Sequence, residues 1–175
     1  MTLIERTNCD PACNSFAIYS ECERYRYLLS RTWEAGAPRL LYIMLNPSTA
    51  TELANDPTIE RCERRARQLG FGTMVIANLF AWRATSPTDL KVAKLPIGSD
   101  NLRLLSEAAE GADTVLVAWG VHGEHQGQAL TVSDHLRSKD LELHCLGTTK
   151  NGHPRHPLYV SYATDLQVWT GYNSD

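Results

Sequence analysis

The chain has 175 residues, 43% of them hydrophobic and 21% charged, with a formal net charge of −3. Folding at that length buries roughly 70% of the unfolded chain's surface without disulfides or metals, and the composition excludes a disordered tail or a cysteine-stapled miniprotein. No apolar run approaches the roughly 20 residues that span a bilayer, and the acidic balance argues against strong nonspecific binding to nucleic acid.

Residues 1–10 include Glu5, Arg6, Asn8 and Asp10 and hold no apolar signal core. The five cysteines are odd in number, which suits reduced thiols. A cytoplasmic protein with no membrane partner is therefore expected. Cys62 and Cys145 sit singly in apolar patterns, where cysteine behaves as a small hydrophobe.

A β-hairpin is expected over residues 14–33. Phe16 to Tyr19 is apolar, and Tyr25 to Arg31 alternates and is rich in β-formers. Arg24, Tyr25, Arg26 and Tyr27 add a basic-aromatic mixture that suits stacking and phosphate contact, or else an amphipathic strand with Tyr inward. Leu40 to Leu45 is continuous and apolar, as in a strand covered on both faces. Asp56-Pro57 then starts a helix that carries Ile59, Cys62, Ala66 and Leu69 on one stripe and stops at Gly70. Its four arginines, Arg61, Arg64, Arg65 and Arg67, alternate with Glu60 and Glu63 and are expected on a solvated, charge-paired face. Met74 to Ala77, Thr114 to Trp119 and Leu141 to Leu146 are three further buried strands. A loop holding Pro87 and Pro96 follows the first of them, and helices are expected near Ser99–Glu110 and Leu130–Leu136. The alternation predicts one α/β domain over 1–175, with a mainly parallel α/β core over 39–170 and helices on both faces.

Ligands of open α/β sheets bind beyond the carboxyl ends of the strands. Those ends present Asn46-Pro47-Ser48-Thr49, then Asn78 with Phe80, Trp82 and Arg83, then Trp119-Gly120, and finally a loop with Lys150, His153 and His156. Each also has a structural reading. Asn-Pro is a common turn, and the two tryptophans suit core edges.

The series NPSTA, NDPT, NLFAWR, AWG and HPLY resembles, across most of the chain, an uncharacterised bacterial and phage family of unknown function. More distantly, its order is similar to the uracil-DNA glycosylase superfamily, in which strand ends carry a GINPG-type motif, an Asn, a Gly and a late HP-type loop. That resemblance implies a three-layer αβα sandwich and a hydrolase that cleaves a nucleobase–sugar N-glycosidic bond, in DNA repair or base modification. Asn46 and His156 would be catalytic. Pro47, Ser48, Thr49, Asn78, Phe80, Trp82, Arg83, Trp119, Gly120, Lys150 and His153 would bind substrate. His156 is preferred to His153 because Leu158 follows its Pro157.

In that chemistry positive charge grows on the sugar and negative charge on the leaving base. A carboxamide need only orient water, and an imidazole need only donate to the base. Asn78 offers the donors and acceptor to read a base edge, and Phe80 or Trp82 could stack on it. The implied partner is DNA, single-stranded or base-modified, or a small nucleotide, with no cofactor and no metal. Two other readings stand beside it. One is a non-catalytic binder of a nucleotide, nucleobase or DNA in the same crevice. The other is a metal-dependent hydrolase built on His122, His125 and His135 or Asp134.

Overall fold

The computed structural model describes residues 2–172. Three strands open it: β1 (Leu3–Asn8), β2 (Asn14–Ser20) and β3 (Arg26–Thr32). Short turns join them, so they pair antiparallel. The expected hairpin is thus β2–β3, and β1 adds an edge strand whose middle residues, Glu5 to Thr7, are exposed. Nothing in its alternation marks an inward face, so it escapes sequence reading.

The centre is built from β4 (Arg39–Met44), β5 (Thr73–Asn78), β6 (Thr114–Val117) and β7 (Leu143–Cys145), which pair in parallel in the order β5-β4-β6-β7. β5 is buried along its whole length and β4 from Leu40 onward, as continuous apolar runs require. β3 joins antiparallel to β5, and β8 (Gln167–Val168) closes the far edge antiparallel to β7. The sheet therefore runs β1-β2-β3-β5-β4-β6-β7-β8. Four of its seven pairings are antiparallel. The mainly parallel sheet expected from sequence is corrected to this mixed one, because the hairpin does not stand apart but extends the same sheet.

Helix α1 (Pro57–Gln68) packs on one face through Ile59, Cys62 and Ala66 against Leu40, Tyr42, Met74 and Ile76. On the other face lie α2 (Pro87–Val92), α3 (Asn101–Glu110) and α4 (Gln128–Arg137), which bury Leu90, Leu105, Ala109, Val132 and Leu136 against Leu41, Ile43 and Val75. The short α2 stands where the prolines of the sequence predict a loop. Pro87 instead occupies its first turn, and the Ser86 hydroxyl accepts from the Asp89 amide. Among the described residues no helix is long and apolar enough to cross a membrane.

The chain leaves β4 for β5 on one side and reaches β6 on the other, so strand order reverses at β4. This switch point leaves a crevice beyond the carboxyl ends of β4 and β6.

Candidate functional site

A cavity of about 540 Å³ opens at that switch point, within the usual range for small-molecule sites. It is walled by the turn after β4, the starts of α1 and α2, the turn after β6 and the loop that carries His156, with Arg26 of β3.

Asn46 follows β4 directly. Its Nδ2 donates to the Ala84 carbonyl at 2.7 Å and to the Pro47 carbonyl at 3.0 Å. Both amide protons are thereby committed to acceptors, which assigns the orientation of the carboxamide. Oδ1 is left as a fixed acceptor with no protein donor among the described residues.

Asp56 caps α1. Its Oδ1 accepts from the amides of Thr58 and Ile59, at 3.0 and 2.9 Å, and Oδ2 accepts from the Ala50 amide at 3.2 Å. It is the one carboxylate among the described lining residues. Three amides hold its charge.

His156 starts the short 3₁₀ turn Pro157–Tyr159, and its Nδ1 accepts from the Leu158 amide at 3.3 Å. An imidazole nitrogen that accepts carries no proton, so in the neutral ring the proton sits on Nε2. Burial pushes the imidazole below its ordinary value, with a smaller opposing pull from the Asp56 charge. His156 is therefore a neutral Nε2–H donor at neutral pH.

The loop that delivers it is tied down on both sides. The Gly120 amide donates to the Pro154 carbonyl at 2.9 Å, with Gly120 at φ +69°, where a side chain would be strained. From α1, Arg61 donates to the carbonyls of Pro157 and Val160. Arg65, 1% exposed, donates to those of Val160, Ser161 and Thr164. The solvated arginine face expected from sequence is corrected here. Arg67 does pair with Glu63 as helical spacing suggests, but Arg65 lies inside and Arg61 is half-buried, because the late loop supplies carbonyls over that flank of the helix.

The structure brings Asn46, Ser48, Trp119, Gly120 and His156 to one cavity. Trp119 is held edge-on to Trp169 and donates from Nε1 to the Tyr172 hydroxyl at 3.2 Å. Other candidates lie outside the lining. Pro47 is buried and Thr49 exposed. Asn78 is 1% exposed, and both polar atoms of its carboxamide are buried without a hydrogen-bond partner among the described residues. Phe80 is fully buried and faces the His125 ring. Trp82 stands edge-on to Tyr25, and Arg83 lies over the Tyr19 ring. Lys150 is exposed. His153 is buried, with Nε2 3.3 Å from Glu124 and its ring against Tyr172.

His122 enters the lining, but His125 packs on Phe80 and His135 Nε2 meets the Ser106 hydroxyl. Among the described residues no three His, Cys, Asp or Glu side chains are placed to share a metal ion.

Sequence reading also missed cavity residues. The sequence marks Asp56 only as a helix cap and carries no motif that singles out Arg155, although it stands beside His156. Arg26 was noted only within a basic-aromatic stretch.

A family model described as a protein of unknown function (DUF1643) matches residues 26–158. The chain belongs to that family. The matched span contains every lining residue of the cavity except Tyr159. No curated protein and no solved structure matches the chain.

Proposed function

We propose that this DUF1643 chain is a glycosylase-like hydrolase that cleaves a nucleobase–sugar N-glycosidic bond, in DNA or in a nucleotide, in a fold of the uracil-DNA glycosylase type. The observation that carries this reading is the pairing of Asn46 and His156 in one cavity, each held in a single orientation by backbone partners. A parallel centre with helices on both faces and motif-bearing loops at its carboxyl ends supports the fold assignment.

The bond between sugar carbon and base nitrogen breaks with its electron pair leaving on the base. His156 Nε2–H donates to the developing anion. Asn46 Oδ1 accepts a hydrogen bond from a water and aims its oxygen at the electron-poor sugar carbon. The water's surplus proton leaves to solvent once the new carbon–oxygen bond has formed. A strong base is not needed, because the sugar carbon is already cationic in character.

The test is direct. Purified protein is incubated with base-modified single-stranded and duplex oligonucleotides, nucleosides and nucleotides, and free base is sought by mass spectrometry. Release by the wild type, lowered about 10²- to 10³-fold in Asn46→Ala, is the expected outcome. A broad panel without release from folded protein removes the reading.

The second reading, a binder that uses the same crevice without turnover, is favoured by Asp56. The one carboxylate among the described lining residues is spent on holding three backbone amides of the wall in place. On that reading Asn46→Ala retains ligand binding and there is no base release to lose.

A further inference from the structure

The cavity wall contains a cation that the protein leaves largely unpartnered. Arg26 begins β3, is 1% exposed, and lines the cavity. Its Nη1 donates to the Ala50 carbonyl. Nε is buried with no hydrogen-bond partner, and no described residue accepts from Nη2. No carboxylate among the described residues lies within ion-pair distance of it. The nearest candidate in the lining, Asp56, is engaged by amides as described above.

An uncompensated buried charge is costly, and buried guanidinium groups are ordinarily paired. Burial lowers the Arg26 pKa to about 10, which leaves the group charged at neutral pH. Around it the lining is positive where the whole chain is negative. Among the described lining residues two arginines, Arg26 and Arg155, face one aspartate, against a net charge of −3 for the molecule.

We propose that the cavity takes the terminal phosphate of a mononucleotide, with Arg26 as its charge partner, so that the substrate class is a nucleoside monophosphate rather than a base within a polymer. This deepens the glycosylase reading of the same cavity and rests on it for the nucleotide class. The distinction from a polymer follows from where the arginine lies. A phosphodiester must enter and leave the site along an open groove, whereas a recessed guanidinium in a wall is reached only by a chain end. Asn46 and His156 are each more exposed than Arg26, so a ligand seated phosphate-inward can present its sugar and base to them. A volume of about 540 Å³ accommodates such a ligand.

Calorimetric titration of the full chain tests this. The probes are the deoxynucleoside 5′-monophosphates, including that of deoxyuridine, the matching nucleosides, inorganic phosphate, and a short single-stranded oligonucleotide without terminal phosphates. The Asn46→Ala variant is run in parallel so that turnover does not enter. At least one monophosphate should bind about tenfold to a hundredfold more tightly than its nucleoside, as a charge-assisted contact provides, and inorganic phosphate should compete with it. Arg26→Gln should abolish that preference and Arg26→Lys retain part of it. Should Arg26→Gln fail to fold, the wild-type nucleotide-to-nucleoside ratio and Arg26→Lys decide. Equal affinity for nucleoside and nucleotide, an oligonucleotide that outbinds every monophosphate, or no binding by any probe overturns the proposal. Preference for the monophosphate without base release removes the glycosylase reading and leaves the phosphate site. Base release without that preference removes the phosphate site alone.

Discussion

At the residue scale, the site depends on backbone atoms that fix the polarity of two side chains. Asn46 holds its oxygen outward because Pro47 and Ala84 take its two protons. Replacing it with Ala leaves the Ala84 carbonyl without its side-chain donor, while the Pro47 carbonyl still accepts from the Ala84 amide. The expected cost is about 1–2 kcal/mol in denaturant unfolding, small beside the predicted loss of turnover. His156 gives a pH signature. Its pKa in the folded state lies below the ordinary value near 6.5, so the unfolded chain binds the proton more readily. The stability associated with the neutral ring is complete above about pH 6.5 and declines as pH falls toward the folded-state value. His156→Asn keeps an acceptor where Nδ1 stands but removes the titration and the Nε2 donor. It should hold the melting temperature at pH 7.5, flatten the acid limb between pH 6.5 and 5, and abolish any base release. An acid limb as steep as that of the wild type would contradict the assignment.

At the element scale, α1 supports the late loop as well as the sheet. Arg65 donates to three carbonyls of the segment that follows His156. Arg65→Met should cost about 1.5–3 kcal/mol by denaturant midpoint, since it removes three charge-assisted hydrogen bonds to the late segment, the one to Thr164 being that carbonyl's sole donor among the described residues. Arg64→Ala, which removes an exposed contact 4.9 Å from the Tyr162 ring, should change stability by about 0.5 kcal/mol or less. The comparison is informative because the two are neighbours in a sequence where they look equivalent. The segment Val121–Gly127, 3₁₀ turns broken at His125 and Gln126, is constrained in another way. A Cβ on Gly123 would come within 2.2 Å of the Trp119 ring. Gly123→Ala should therefore displace the tryptophan from the cavity wall, cost about 1–3 kcal/mol, and shift its fluorescence. An unchanged emission spectrum would show that the backbone turn yields instead.

At the scale of the whole molecule, a parallel centre is flanked by antiparallel edges, and burial is graded across the sheet. Central β4 and β5 are almost wholly buried, whereas β8 is exposed at both residues and β1 at its middle. Amide hydrogen exchange should follow that gradient. Amides of β4, β5 and β6 are expected to exchange only through global opening, and those of β1 and β8 through local fraying. Exchange from β5 as fast as that from β1 would overturn the picture of one cooperative centre. The switch point lies inside this most stable part, which keeps the ends of β4 and β6 in register for Asn46 and Trp119.

Much of this architecture was legible in the residues. The apolar runs at Leu40–Leu45 and Met74–Ala77 marked central strands because a strand covered on both faces admits few polar side chains. Asp56-Pro57 marked the start of α1 because free amides demand a cap. Asn46 was legible as a candidate because it follows a central strand at an Asn-Pro motif, and His156 because it heads a His-Pro motif in the late loop. Strand direction across the sheet was not legible. Pairing depends on which edge a hairpin finds, and β3 meets β5 through backbone groups that no side-chain pattern records. Nor was the interior position of Arg26 and Arg65. A guanidinium is placed inside by acceptors and charges far along the chain, Ala50 for one and Val160 to Thr164 for the other. Local order and hydrophobic period thus decided where elements form, while only folded distance decided which polar groups are left for a ligand.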